Sequence, residues 1–396
     1  MHTKIVRKFM LFAILTGILQ SCGSGTQEQS SGDKPQIKKV KDVIIYEDPV
    51  FYASFPSVVK RPNGELLVAF RRAPNRRNFG EKSYTHVDPN SYLVMVRSRD
   101  GENWSKEPEL IYAHPFGGSQ DPCLLQLRDG TLLCASYGWA IVKPESFETL
   151  KDPVSWQKLA AFLGGYIVRS TDGGKSWEGP IYPSTVPSDP RNNILGQDMP
   201  AYNRGALCEG KDGRIYWAVA SSKPKPERGT GVYLMTSDDK GITWNYNCIV
   251  ASDSVASFNE TSIYITPKGD IVAFLRTANF GDQACIARST DGGKSFNWAS
   301  MGFRGHPLNA LRLPDNRVLL TYGYRHQPYG IRARILNEEC TDFAAAEEFV
   351  LRDDGGNGDI GYTWPVQLDK NRVLVTYYFN KNNEVRHIAG TIIEIK

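Results

Sequence analysis

Ser170-Thr171-Asp172-Gly173-Gly174-Lys175-Ser176-Trp177 is the stretch from which the fold can be read. Its aspartate can accept hydrogen bonds from the backbone N–H groups that follow, and its glycines supply the strained dihedrals of a tight turn. The closing tryptophan is placed to pack between strands. The stretch is therefore a turn clamp, and it recurs. Ser237 to Trp244 keeps the same S-x-D-x-G-x-[ST]-W spacing, Ser289 to Phe296 keeps it with phenylalanine last, and Ser98 to Trp104 is a shortened copy.

A second repeat is interleaved with the first. An apolar run, a tight turn ending in Gly or Asn and another apolar run occur at Pro62-Asn63-Gly64, Arg128-Asp129-Gly130, Lys211-Asp212-Gly213, Pro267-Lys268-Gly269, Pro314-Asp315-Asn316 and Asp369-Lys370-Asn371. Asn-Gly and Asp-Gly pairs supply the positive φ that short hairpins require. Six hairpins over residues 39–396 leave about 60 residues for each, enough for a four-stranded blade with its loops. The expected fold is an all-β, six-bladed β-propeller. The one stretch that reads as helical, Pro144 to Phe162, is expected to be an inserted loop carrying a helical piece.

The start of the chain speaks to location. Lys4, Arg7 and Lys8 precede an apolar run from Phe9 to Leu19, then Gln20-Ser21-Cys22. This reads as a signal peptide over residues 1–21 with lipid attachment on Cys22, ordinary cleavage being the alternative. The run is shorter than the roughly 20 apolar residues of a membrane-spanning helix. Residues 22–38 are polar and rich in Ser, Gly and Gln, as a tether would be. The implied partner is a membrane reached through an N-terminal lipid. The chain carries 47 Lys and Arg against 43 Asp and Glu, a net charge of +4, and three of those cations lie in the leader. Nothing forms a basic stripe, which argues against a nucleic-acid partner. The cysteines after Cys22 make no C-x-x-C pair and sit mostly in apolar runs, so they read as buried thiols, and no metal-ligand spacing stands out.

In a propeller the innermost strands converge on one axis, so equivalent positions face one another. Nine residues before each turn Gly or Asn stand Phe55, Asp121, Arg204, Glu260, Pro307 and Tyr362. Most are polar or ionisable, which a purely structural ring does not need. Arg71 and Arg276 stand seven residues after their turns and Arg325 nine after its own. Guanidinium groups near one axis suit a carboxylate or phosphate, which they grip bidentately.

With these residues the chain resembles the exo-α-sialidase (neuraminidase) superfamily over about residues 45–396, and the turn clamp resembles its Asp-box, or BNR repeat. Asn259-Glu260-Thr261-Ser262 with Phe274-Leu275-Arg276 is similar to the strand pair holding the catalytic glutamate and one arginine of a triad. Gly361-Tyr362-Thr363 is similar to the segment of the nucleophilic tyrosine, and Asp88 falls where the acid/base aspartate is placed. Asp121-Pro122-Cys123 resembles a segment lining the pocket, and Arg325 is the candidate for the last arginine of the triad. One departure stands out. Sialidases open the first blade with Arg-Ile-Pro, and here the stretch is Ser54-Phe55-Pro56, leaving Arg71 or Arg72 to substitute.

The resemblance implies a retaining glycosidase that removes a terminal acidic sugar and needs no cofactor. The substrate's anomeric carbon bears a carboxylate, which would repel a carboxylate nucleophile. A neutral tyrosine avoids this, and sialidases depart from the two-carboxylate scheme in that way. Tyr362, with an ordinary pKa of about 10, needs a base, for which Glu260 is the candidate. Asp88 would protonate the leaving oxygen, Arg276, Arg325 and Arg71 or Arg72 would hold the carboxylate, and Asp121 and Arg204 would contact the rest of the sugar. For Arg204 the competing expectation is an ordinary salt bridge to Asp198 or Glu209. A glycosidase or lyase for another acidic sugar, a glycan-binding propeller without turnover, and a protein-binding propeller remain the alternatives.

Overall fold

Apolar strand, tight turn and apolar strand, repeated around an axis, give six antiparallel sheets in the computed structural model, which describes residues 36–81, 87–156, 159–187, 189–223, 229–382 and 385–396. The expected leader, Cys22 and nearly all of the tether lie outside the described residues. Blade one is Phe51–Lys60, Leu66–Pro74, Tyr92–Ser98 and Glu109–Tyr112. Blades three, four and five repeat this order, their second strands being Ile215–Ser222, Ile271–Ala278 and Val318–Tyr324. In blade two the inner edge is broken into Gly118–Ser119 and Cys123–Gln126, with Asp121 in the break. The stretch Pro144 to Phe162 holds one 3-10 turn, Pro144–Thr149, and its end already belongs to the strand Ala160–Ser170.

Blade six is closed by the chain's own start. Gly361–Gln367, Arg372–Phe379 and His387–Ile395 pair in order, and Ile37–Tyr46 adds the outer strand, running antiparallel to His387–Ile395. The six-fold division of the sequence did not show this, because the closing strand precedes the first hairpin. The core lies between blades, where strands such as Ile215–Ser222 are buried on both faces and therefore read as apolar runs. Trp217 is wholly buried there and meets Trp244, the last residue of an Asp-box, edge to face at 5.3 Å.

The clamps close as their composition demands. Asp172 Oδ1 accepts from the backbone N–H groups of Lys175 (2.9 Å) and Ser176 (3.0 Å), and Asp239 treats Ile242 and Thr243 likewise at 3.1 and 2.8 Å. Asp291 and Asp100 repeat the bond pattern. The six cysteines after Cys22 are free thiols, with Cys123, Cys134, Cys285 and Cys340 buried.

Candidate active site

The nine-before position proves to be the point where inner strands are bent. Strand pairing slips between Ser54 and Ser57, between Asn259 and Thr261, and between Gly361 and Trp364, so Phe55, Glu260 and Tyr362 each sit in a bulge. A bulge re-aims the side chain it carries. Phe55 and Tyr362 also hold φ values of +58° and +56°, a conformation that bulky residues rarely adopt and that costs about 1–3 kcal/mol. The fold supports that strain where two aromatic rings must face the axis, with centroids 4.7 Å apart.

Around the axis three expected residues come together. The Tyr362 hydroxyl donates to Glu260 Oε1, and Arg276 Nη1 donates to Glu260 Oε2. The Arg325 guanidinium lies 5.2 Å from the Tyr362 ring centroid, its Nε donating to the Ile360 carbonyl (3.0 Å) and its Nη2 to the Tyr378 hydroxyl (3.0 Å). Burial alone would raise the Glu260 carboxyl, but the charge of Arg276, the Tyr362 bond and Arg325 outweigh it and hold the group below its ordinary range. Burial, then the Glu260 charge, push the Tyr362 phenol well above its usual value. The pair is thus a protonated phenol on an ionised carboxylate, the arrangement of a nucleophile resting on its base. His306, 5% exposed, stands beside Arg276 and Arg325, and burial and those two charges lower its pKa to about 2.

Arg71 joins this group and Arg72 does not. Successive side chains leave a strand on opposite faces. Arg71 is wholly buried, pairs in register with Ser54, lies 5.7 Å from the Tyr52 ring, and feels the charges of Asp88 and Asp121. It stands across from the residue that replaces the first arginine. Arg72 turns the other way, 3.5 Å from the Phe51 ring centroid and ion-paired to Asp48 at 3.4 Å, which corrects the expectation that it could serve the substrate.

Arg204 and Asp88 have partners that the sequence did not indicate. Arg204 does not form the alternative salt bridges to Asp198 or Glu209. It is 1% exposed, its guanidinium lies 4.5 Å from the Tyr362 ring centroid, and Nη2 donates to the carbonyls of Pro56 (3.0 Å) and Tyr362 (3.3 Å). From the edge of blade three it spans to blades one and six and braces the two bulges. Asp88, expected as the acid, is engaged on both oxygens. Arg76 Nε reaches Oδ2 at 2.6 Å, Arg76 Nη2 reaches Oδ1 at 2.9 Å, and the Asn90 N–H also donates to Oδ1 at 2.8 Å. It ties the 3-10 turn Arg76–Phe79 to the loop before the third strand.

Asp121 is at the axis as expected, 2% exposed, with Oδ2 accepting from the Tyr137 hydroxyl at 3.1 Å. Tyr137 and Tyr378 were missed in the sequence, yet the signal was present. They stand seven residues after Gly130 and Asn371, the offset that had already selected Arg71 and Arg276. Asp359 was also missed. It accepts from Tyr378 (2.8 Å), Tyr52 (3.0 Å) and Arg386 (2.7 Å), and no repeat offset points to it because it lies in a loop. Among the described residues no group of three or more His, Cys, Asp or Glu could hold a metal ion.

Residues 149–335 match the model of a BNR repeat-like domain. A crystal structure of a protein of unknown function from Dyadobacter fermentans is 63% identical, covers 91% of this chain and 99% of its own, and superposes with a TM-score of 0.89. The Hadza microbial sialidase Hz136 is 16% identical, with 87% of this chain and 66% of that one covered and a TM-score of 0.62. The K499G mutant of NanB sialidase from Streptococcus pneumoniae gives 13%, 89%, 70% and 0.62. At such identities the two sialidases share the fold. A comparison with curated proteins yields no match.

Proposed function

This chain belongs to the same family as the Dyadobacter fermentans protein, one of sialidase-like BNR-repeat propellers, and from that premise we propose that it is an exo-glycosidase that removes a terminal, α-linked acidic sugar from a glycan with retention. The observation that carries this is the Tyr362–Glu260–Arg276 chain at the axis, with Arg325 against the tyrosine ring. A binding protein has no need of a phenol hydrogen-bonded to a carboxylate that an arginine keeps ionised. In the proposed reaction Glu260 takes the phenolic proton while Tyr362 attacks the anomeric carbon, and Arg276 and Arg325 hold the substrate carboxylate.

A specific observation bears on which sugar is cut. Ser54 replaces the first arginine of the family pattern and the Phe55 ring covers that side of Tyr362, so the third carboxylate contact falls to Arg71 or is absent. This favours an acidic sugar other than the common sialic acid, such as a different ulosonic acid, which keeps the carboxylate on the anomeric carbon. The test is hydrolysis of a fluorogenic α-sialoside beside a panel of other acidic glycosides, by wild type and Tyr362→Phe. No turnover on any of them, with binding retained by both, would replace the enzyme by a glycan-binding propeller. Arg325→Ala should lower kcat/KM about 10–100-fold, mostly through KM, as expected for a lost charged hydrogen bond. An unchanged KM would remove Arg325 from the clamp.

The proposal also places the domain outside the cytoplasm, held to a membrane by lipid on Cys22 through the polar tether. Cys22→Ser should move the protein from the membrane fraction to the soluble one. Equal membrane association of both forms would sink the anchor.

A further inference from the structure

The acid that protonates the leaving group has to be found elsewhere than at Asp88, whose oxygens are taken by Arg76 and the Asn90 N–H. Besides Glu260, which serves as the base, and Asp359, which Tyr378, Tyr52 and Arg386 hold, the described residues near the axis include the carboxyl of Asp121. Asp121 sits in the break of blade two's inner edge, near enough to Tyr362 of blade six for its charge to act on the phenol. Its Oδ2 accepts from Tyr137, while its Oδ1 is buried without a partner. A buried carboxylate oxygen left unpaired is costly, and a proton there, ready to be donated, relieves that cost. The titratable and charged groups that act on it are Glu260, Arg204, Tyr137, Arg71, Tyr362 and Cys123. We propose that Asp121, and not Asp88, gives the proton to the leaving oxygen and later takes one from water, with Tyr137 steadying its other oxygen. The inference rests on the glycosidase reading above.

The electrostatics agree with the geometry. Burial, then the charge of Glu260, raise the Asp121 carboxyl to about 7 against the opposing pull of Arg204, the Tyr137 bond and Arg71. Glu260 is held low. Two carboxyls whose surroundings drive them apart in this way divide the roles of acid and base. In the first step Tyr362 Oη bonds to the anomeric carbon and its proton passes to Glu260. The glycosidic C–O bond breaks, and the leaving oxygen takes the proton of Asp121. In the second step a water oxygen attacks the same carbon, its proton goes to Asp121, and the departing phenolate recovers its proton from Glu260. One water is consumed and both carboxyls return to their starting states.

Asp121→Asn and Asp88→Asn should be compared on two substrates of one acidic sugar, a disaccharide and a 4-nitrophenyl glycoside. A missing acid matters most for a poor leaving group. Asp121→Asn should slow the disaccharide about 10²–10⁴-fold and retain the burst of nitrophenol, while Asp88→Asn treats both substrates alike. The reverse pattern overturns the assignment. Should wild type cleave nothing, the glycosidase reading fails, and Asp121 is still judged by thermal melting against pH. The folded protein keeps a proton there that the unfolded chain releases near pH 3.8, so stability falls as pH rises from 3.8 to about 7. Asp121→Asn should flatten that fall, and parallel curves overturn the proposal. Should Asp121→Asn not fold, Tyr137→Phe serves, since losing its bond raises the acid further. The basic limb of kcat/KM, or the upper end of the stability fall, then moves to higher pH. An unmoved limb and an unmoved fall count against Asp121.

Discussion

Tyr362→Phe is expected to reduce turnover of the acidic glycoside by at least about 10³-fold while leaving the fold and ligand affinity nearly unchanged. The ring stays, and with it the stacking on Phe55 and the contacts with Arg204 and Arg325, so the substitution removes only the attacking oxygen. It also frees Glu260 Oε1, which keeps Arg276 as its counter-ion. Glu260→Gln should fall by a similar factor for a different reason, because the phenol, held protonated by burial and by the glutamate's charge, then has no base. The two defects should not add, since nucleophile and base act as a unit. Rates for both variants and their double mutant, with a melting curve for each, check this. A Tyr362→Phe variant within tenfold of wild type would remove the tyrosine from the chemistry.

A chain lacking residues 37–46 is expected to lose cooperative folding or to melt far below the full domain. That strand hydrogen-bonds to His387–Ile395 along its length and buries Ile45 and Tyr46. Two such side chains are worth roughly 3–6 kcal/mol, against about 5–15 kcal/mol for a whole domain. Its loss also exposes an apolar edge, Ile388 to Ile393, that invites association between chains. Melting and light scattering on the shortened protein provide the check. A melting curve matching the full domain, with no added scattering, would show that the sixth blade closes without its outer strand.

Ser170 to Trp177 and its copies, with the six hairpin turns, determined the propeller from sequence, because a turn clamp and a positive-φ turn are local chemistry that a short stretch specifies. The same counting placed Glu260, Tyr362 and Asp121 at one axis and Arg276 beside them, since equivalent positions of repeated units converge by symmetry. Only the tertiary structure decided the rest. Whether Arg71 or Arg72 faces the axis follows from the pleat and from pairing with Ser54. Arg204 became a brace because the bulges of blades one and six offer it buried carbonyls from distant parts of the chain. Asp88 found Arg76 across a loop of irregular structure, where no periodicity can be read. The closing strand Ile37–Tyr46 pairs with a segment about 350 residues away, a choice governed by the free edge of the last blade rather than by any signal within the strand.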